Sequence, residues 1–506
     1  MKLRRCSVNM LKRMSKKKKL LCFGAGQNLY NFFSSHKEEK LEERIAFILD
    51  NSIAKNGEYF KINGVDIEIK LPDVLKELRL SEYIILITAG KYAEIFAQIQ
   101  NLCNNANIDV YMLPIRRSIF WYWIEFMITK LPIKNYILIR GEGDTCENTK
   151  AFGAYIKNNN FFDKYIIIWL CNNSSLFENT KKEKYININT LLYSKSIIEV
   201  FRYCWYYGRA KYLIYENQHL KKMRDEQIMV YLNHGAPPIK ATKGIINLPA
   251  SLNYAVSPSE FSSKIICDQY SINKERVIIC GSPRTDIFYE RKTHRTILGL
   301  DFEKYKKVIL WTPTFRQLKN TVRIDSDLQY LYGVPILKKE IDFNVLCKTL
   351  EKENILLLIK PHQLQNLSYY KIQSTKNVKL LLQEELNRVG ISFYSLICQV
   401  DALITDYSTI AFDFMLLDRP LAYTLDDLEN YTIGFSVDNI KSLMPGHYIY
   451  TLEDLNTFIK SVSNGEDKYG EKRNQVKKII HTYTDGENSK RLCEILGIRR
   501  EKGYDN

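Results

Sequence analysis

The feature that most constrains this chain is a repeated pattern: an apolar run of four to six residues breaks off at a glycine, proline, asparagine or acid, and a helix-length segment leads to the next run. Such alternation builds parallel, doubly wound sheets. Runs at 19–23, 45–49 and 83–88 predict a small Rossmann-like α/β domain over 18–115. Runs at 136–139, 165–170, 211–215 and 229–232, and then at 277–280, 308–311, 355–360 and 402–405, predict two consecutive Rossmann-like halves over 135–275 and 276–506, the second ending in a C-terminal helix. A chain of 506 residues exceeds what a single core supports, so several domains are required in any case.

Two segments fall outside this rhythm. Nine of the first nineteen residues are Lys or Arg with no acid among them, so 1–17 reads as a basic tail contributing to the net charge of +16. It is either simply solvated or drawn to an anionic membrane surface, at about 1 kcal/mol per cation near the lipid; nucleic acid is not the expected partner. Residues 116–134 read as a linker helix with Ser118, Tyr122, Glu125 and Thr129 on one face and Phe120, Trp121, Trp123, Ile124, Met127 and Ile128 on the others. That pattern suits burial between domains or a place in a membrane interface. No run reaches the roughly 20 apolar residues of a spanning helix. No secretory signal is read at the N-terminus, and the 11 scattered cysteines form no C-x-x-C pair, as expected of reduced cytoplasmic thiols. No His, Cys or acidic cluster asks for a metal.

The turn Gly24-Ala25-Gly26, between a strand and a helix, would bring backbone amides to a phosphate, and Asp50 at the next strand end would take a ribose hydroxyl. The third small residue of a dinucleotide fingerprint is replaced by Leu29, and a lone glycine turn also serves packing, so a nucleotide in this module is one of two readings.

The chemistry-bearing residues gather after strand ends between 230 and 440, where open α/β sheets bind ligands. Asn233-His234-Gly235-Ala236-Pro237-Pro238 combines an imidazole that exchanges protons near neutrality, a glycine for close approach and stiffening prolines. Gly281-Ser282-Pro283-Arg284-Thr285-Asp286 carries a guanidinium fork suited to phosphate and an acid that either orients it or caps a helix. Trp311 to Arg316, which includes Thr312, Pro313 and Thr314, offers hydroxyl, backbone and guanidinium donors. Lys360-Pro361-His362 adds a cation and a second of only seven histidines. Thr405-Asp406-Tyr407-Ser408-Thr409 leads into Ile410 to Asp413, where Ser408 and Thr409 would cap a helix whose amides hold phosphate, with Asp413 as a dipole partner or hydroxyl acceptor. Each loop alone also fits a structural turn; the ordered set is specific.

These five motifs, with Asp418-Arg419-Pro420, Gly434-Phe435 and Asp485-Gly486, resemble the CDP-glycerol glycerophosphotransferase family of teichoic-acid primases and polymerases, over about 135–500. The resemblance implies a GT-B architecture, with catalysis depending on His234 and His362. It implies donor binding by Gly235, Ala236, Pro237, Pro238, Arg284, Pro313, Thr314, Arg316, Lys360, Pro361, Ser408, Thr409 and Asp413. The expected substrate is CDP-glycerol or CDP-ribitol, with no cofactor required, and the acceptor is lipid-linked or a polysaccharide, met at the inner face of the plasma membrane by a peripheral enzyme. His234 is read as the base, with His362, Arg316 and Arg284 on the pyrophosphate, although the two imidazoles are interchangeable on sequence alone. Ala236, Asn233, Thr285 and Lys360 depart from the family's usual residues, which bears on acceptor choice. A GT-B glycosyltransferase using a nucleotide sugar is the nearest alternative, and a non-catalytic nucleotide-sensing assembly protein is another.

Overall fold

The computed structural model describes residues 2–5, 8–52, 55–88, 92–103, 108–112, 119–141, 147–171, 180–188, 197–217, 219–244, 248–290, 296–314, 330, 332–362, 371–431 and 433–500. They form two compact units, one built from Met1–Lys130 and Asn187–Trp205 and the other from most of the remainder.

The first unit is a seven-stranded sheet in the order Lys2–Arg5, Asp109–Met112, Tyr83–Ile87, Lys19–Phe23, Ile45–Leu49, Val65–Lys70, Tyr59–Ile62. Its central strands are buried on both faces, which is why they read as unbroken apolar runs. The basic segment is folded rather than a tail: Lys2–Arg5 pairs in parallel with Asp109–Met112. The helix Val8–Ser15 follows, with Leu11 wholly buried and Val8 and Met14 packed beside it. Those three residues fall on one helical face, and Arg13, Lys16 and Lys17 stay exposed. The sequence reading also omits an antiparallel hairpin, Tyr59–Ile62 with Val65–Lys70, which turns at Asn63 and Gly64, both at positive φ. The helix Ile119–Thr129 buries Trp121, Ile124 and Ile128 against Val200 and Cys204 of a second helix, Ile197–Tyr207. Trp123, Phe126, Met127, Ile197, Ile198 and Phe201 remain exposed. Among the described residues no helix is long and apolar enough to cross a membrane.

The second unit holds two further sheets. One runs Glu183–Asn187, Ile166–Cys171, Lys134–Arg140, Ala210–Tyr215, Ile228–Tyr231, Tyr254–Ser257, Val277–Ile279. The other runs Val378–Leu380, Ile355–Ile359, Lys307–Trp311, Ala402–Thr405, Leu421–Thr424, His447–Ile449, with every pairing parallel. Register decides where the loops go. Trp311 pairs with Ile359 and with Ile404, so the segments that follow, Thr312–Thr314, Lys360–His362 and Asp406–Thr409, leave one edge of the sheet side by side. Tyr215 likewise pairs with Tyr231, which sets Glu216 beside the His234 loop.

The boundary between the halves differs from the expected residue 276. Val277–Ile279 is an edge strand of the first of these sheets. The C-terminal helix Asn488–Ile495 returns to that same layer, where Leu492, Cys493, Leu496 and Ile498 join Ile137, Ile139 and Phe152 in one core. Asp286 fixes the return by accepting the Asn488 and Ser489 amides at 2.9 and 2.8 Å. It is thus the cap of a helix two hundred residues downstream, and its burial raises its carboxyl to about 6.

At Gly281, φ is +85° and an added Cβ would sit 1.9 Å from Asn488 Oδ1. Gly299, at φ +74°, faces open space. Gly281→Ala is therefore expected to cost about 3 kcal/mol and Gly299→Ala only about 1 kcal/mol, the strain of a left-handed L residue. Thermal unfolding of the two variants checks the ranking, and equal losses would contradict the interlock.

Candidate active site

A cavity of about 390 Å³ opens in the second unit, lined by His234, Gly235 and Pro238 from one sheet's loops and by Thr312, Pro313, Thr314, Lys360, Pro361, His362, Ser408 and Thr409 from the other's. Gly235 lies where the two loops meet: its Cβ position is 3.4 Å from Thr409 Oγ1.

His234 exposes 55% of its side chain, and its Nδ1 lies 3.2 Å from Oε1 of Glu216, whose side chain is 1% exposed. Glu216 also accepts from the Asn148 amide and side chain, each at 3.1 Å, and from the Thr149 amide at 3.3 Å. Burial works against its charge, but the hydrogen bond with His234, the nearby Arg284 and the Thr149 amide hold its carboxyl below the usual range.

Arg284 is sealed beneath this loop. Its Nε donates to Asp413 Oδ2 at 2.9 Å, its Nη1 donates to the His234 carbonyl, and its backbone amide donates to Asn148 Oδ1 at 3.1 Å. Tyr394 donates its hydroxyl to the same Asp413 oxygen at 2.5 Å, and its ring lies 5.7 Å from the guanidinium. Burial opposes the arginine's charge, and Asp413 more than restores it.

On the opposite wall, burial lowers Lys360 to about 8, partly offset by Glu147 and Glu384, and its ammonium lies 4.4 Å above the Phe393 ring. His362 is held at about 3, first by burial and then by Lys360, His234 and Lys240, so its imidazole is neutral at physiological pH. Thr314 is pinned by Asp406, which accepts its amide at 2.8 Å and also its hydroxyl. Glu147, the first residue of the helix Glu147–Asn158, lines the cavity with its carboxyl raised by burial. A base candidate held by a carboxylate, a buried ammonium and a neutral imidazole around one cavity suit transfer of an anionic group.

The profile of the family described as CDP-glycerol:poly(glycerophosphate) glycerophosphotransferase matches residues 130–497. The chain belongs to this family. It is 27% identical over 252 residues to a teichoic acid glycerol-phosphate transferase of Staphylococcus aureus (strain NCTC 8325 / PS 47), covering 48% of the chain and 60% of the relative. It is 24% identical over 474 residues to a teichoic acid poly(glycerol phosphate) polymerase of Bacillus subtilis (strain 168), covering 85% of the chain and 57% of the relative. The chain thus spans about three-fifths of the length of both. Among solved structures, the wall teichoic acid polymerase TagF superposes with a TM-score of 0.60 at 18% identity, over 80% of this chain and 97% of that one. That likeness is one of fold, and it matches the GT-B arrangement of the second unit.

Within this glycerophosphotransferase fold, the residues expected from sequence do not all reach the cavity. Ala236 and Pro237 are buried behind its wall and brace Gly235. Asp413, expected as a dipole partner or hydroxyl acceptor, is 1% exposed and spent on Arg284 and Tyr394. Arg284, expected as a phosphate fork, does line the cavity, but its Nε and Nη1 are turned on Asp413 and the His234 carbonyl because a buried guanidinium must be paired where it lies. Thr409 occupies the N-cap of Ile410–Phe414 but makes no side-chain cap; the turn closes through the Ser408 and Thr409 carbonyls. Arg316 lies outside the described residues.

In the first unit, Gly24 turns at φ +114°. Asp50 is turned back on the glycine loop, accepting the Ala25 amide at 2.8 Å and the Lys55 ammonium at 3.2 Å. The turn's own carboxylate fills the place where a ligand's oxygen was expected, and the ribose role assigned to Asp50, with Gly26 at the helix start, is not supported there. Glu216, Asn148 and Tyr394 escaped the sequence reading; only Glu216, an acid directly after the run 211–215, carried a signal.

Removing the carboxylate with Asp413→Ala would leave the Arg284 charge buried and unpaired, a loss of about 3–5 kcal/mol. Urea unfolding checks it; a loss below 1 kcal/mol would mean that water reaches the pair.

Proposed function

We propose that the protein transfers a polyol phosphate, glycerol phosphate first among candidates, from a CDP-polyol to a teichoic-acid or capsular acceptor and releases CMP. The observation that carries this reading is the meeting of His234, Lys360 and His362 around one cavity in a glycerophosphotransferase fold.

The acceptor hydroxyl attacks the β-phosphorus of the donor. A new O–P bond forms, the bond from that phosphorus to the bridging oxygen breaks, and CMP leaves with the electron pair. The hydroxyl proton passes to His234. This assignment is supported over the exchange of histidines because His362, held at about 3, is a weak base. His362 instead donates a hydrogen bond to the phosphate, and Lys360 supplies the charge in a low-dielectric wall. Ser408, Thr409 and the Gly235 backbone frame the pyrophosphate, and Arg316 is the further cation assigned to the departing CMP. Positioning and charge complementarity do most of the work in such transfers.

The acceptor, lipid-linked or polysaccharide, is met at an anionic membrane surface on the cytoplasmic side. The exposed Trp123, Phe126, Ile197 and Ile198 beside Lys130, and the exposed cations of the N-terminal helix, support this.

Wild-type protein with membrane extract should release CMP from CDP-glycerol or CDP-ribitol only when acceptor is present, and His362→Ala should lose about 100-fold or more in rate. Because Lys360 keeps its proton only below about 8, the KM for donor should rise above that pH, and Lys360→Arg should abolish the rise. Silence with both donors, alongside turnover of a nucleotide sugar, would replace this reading with a glycosyltransferase.

A further inference from the structure

From the buried contacts of Glu216 we infer that it is the positioning residue of the reaction: it fixes the tautomer of His234 and thereby decides which nitrogen is available as base. The inference rests on the transfer reading above and adds a residue that no motif named.

An imidazole in a half-open cavity can rotate and can carry its proton on either nitrogen; only one combination leaves a lone pair toward the acceptor. Here the Nδ1 edge faces the Glu216 carboxylate at 3.2 Å, with the exposed Asn217 side-chain amide farther off at 3.4 Å, so the nearer, buried and charged acceptor dominates. An ionised carboxylate accepts only, so it selects the tautomer with the proton on Nδ1 and leaves Nε2 unprotonated. Glu216 remains ionised despite its burial, because donors converge on it from Asn148, Thr149 and His234. The carboxylate cannot swing away, since its other oxygen is held by the first amides of the helix Glu147–Asn158. The base is thus steered from a rigid helix and not from its own loop.

The same helix start sets the other coordinate. Asn148 donates to Glu216, to the Leu232 carbonyl at 3.4 Å and to the Asn233 carbonyl at 3.3 Å, and accepts the Arg284 amide. The backbone leading into the imidazole is therefore tied to the residue that holds the carboxylate. As the new bond to the β-phosphorus forms, the hydroxyl proton arrives at Nε2, and the imidazolium that results faces a charge already in place.

The test compares Glu216→Gln, Glu216→Asp and His234→Ala with wild type, by CMP release from CDP-glycerol with membrane extract and by thermal midpoint. Gln is isosteric but can donate its amide N–H to Nδ1, which favours the wrong tautomer. Its kcat should fall about 100-fold or more with the KM for CDP-glycerol changed less than about 3-fold, and Asp should recover part of the loss. A kcat within about 3-fold of wild type for Gln would overturn the inference, as would a loss confined to KM. If Gln fails to fold, nitrogen-15 spectra of the wild-type histidines decide: the His234 signal, identified by its disappearance in His234→Ala, should report a proton on Nδ1, and a proton on Nε2 would overturn the inference. Absence of turnover by wild type with any CDP-polyol would instead count against the transfer reading, leaving the tautomer result to stand by itself.

Discussion

Arg284 and Asp413, with side chains 3% and 1% exposed, meet where the loop after Val277–Ile279 touches the helix Ile410–Phe414. One belongs to the first sheet of the second unit and the other to the second, so the two layers are joined by a desolvated ion pair. Taking two charges out of water costs several kcal/mol per ion and is recovered only when the geometry is nearly complete. The Tyr394 hydroxyl, the Asn148 side chain and the His234 carbonyl supply most of that geometry, while Asp413 Oδ1 stays buried without a hydrogen-bond partner among the described residues. The same guanidinium that joins the layers therefore also fixes the backbone of the His234 loop. Stability and the placement of this imidazole cannot be varied independently at this point.

How much of this was legible in the sequence depends on where each residue's partners come from. Strands buried on both faces announce themselves as apolar runs, so 19–23, 45–49, 308–311 and 402–405 were found within a residue of their ends. The hairpin at Asn63-Gly64 was missed although its turn signal is strong, because its strands mix charged and apolar residues. The basic start was misread because charge density outweighed the few apolar positions, Leu3, Val8 and Leu11, that anchor it. At the site, loop motifs gave the neighbourhood but not the pairing of Arg284 with Asp413. Arg284 and Asp413 look like ligand-binding groups until the fold brings them, 129 positions apart in sequence, within 2.9 Å of each other. Glu216 looks like an ordinary acid until the register of its strand against Ile228–Tyr231 brings it to His234.

The first unit shows the same logic at its glycine turn. A backbone amide presented at a strand end attracts an anion, and here Asp50 occupies that position from the neighbouring strand with Lys55 neutralising it. In the folded chain the Ala25 amide of this motif is already engaged by a side chain of the protein.

The helix Asn488–Ile495 carries a consequence for how the molecule comes into being. Its Leu492 and Cys493 complete the core under Ile137, Ile139 and Phe152, some 350 positions earlier in the chain, and its first turn is held by Asp286. A chain emerging from the ribosome N-terminus first therefore leaves one hydrophobic face of the His234 layer uncovered until residues 488–498 are made. A chain truncated before residue 488 would present to chaperones and proteases an unfinished core rather than a smaller folded layer.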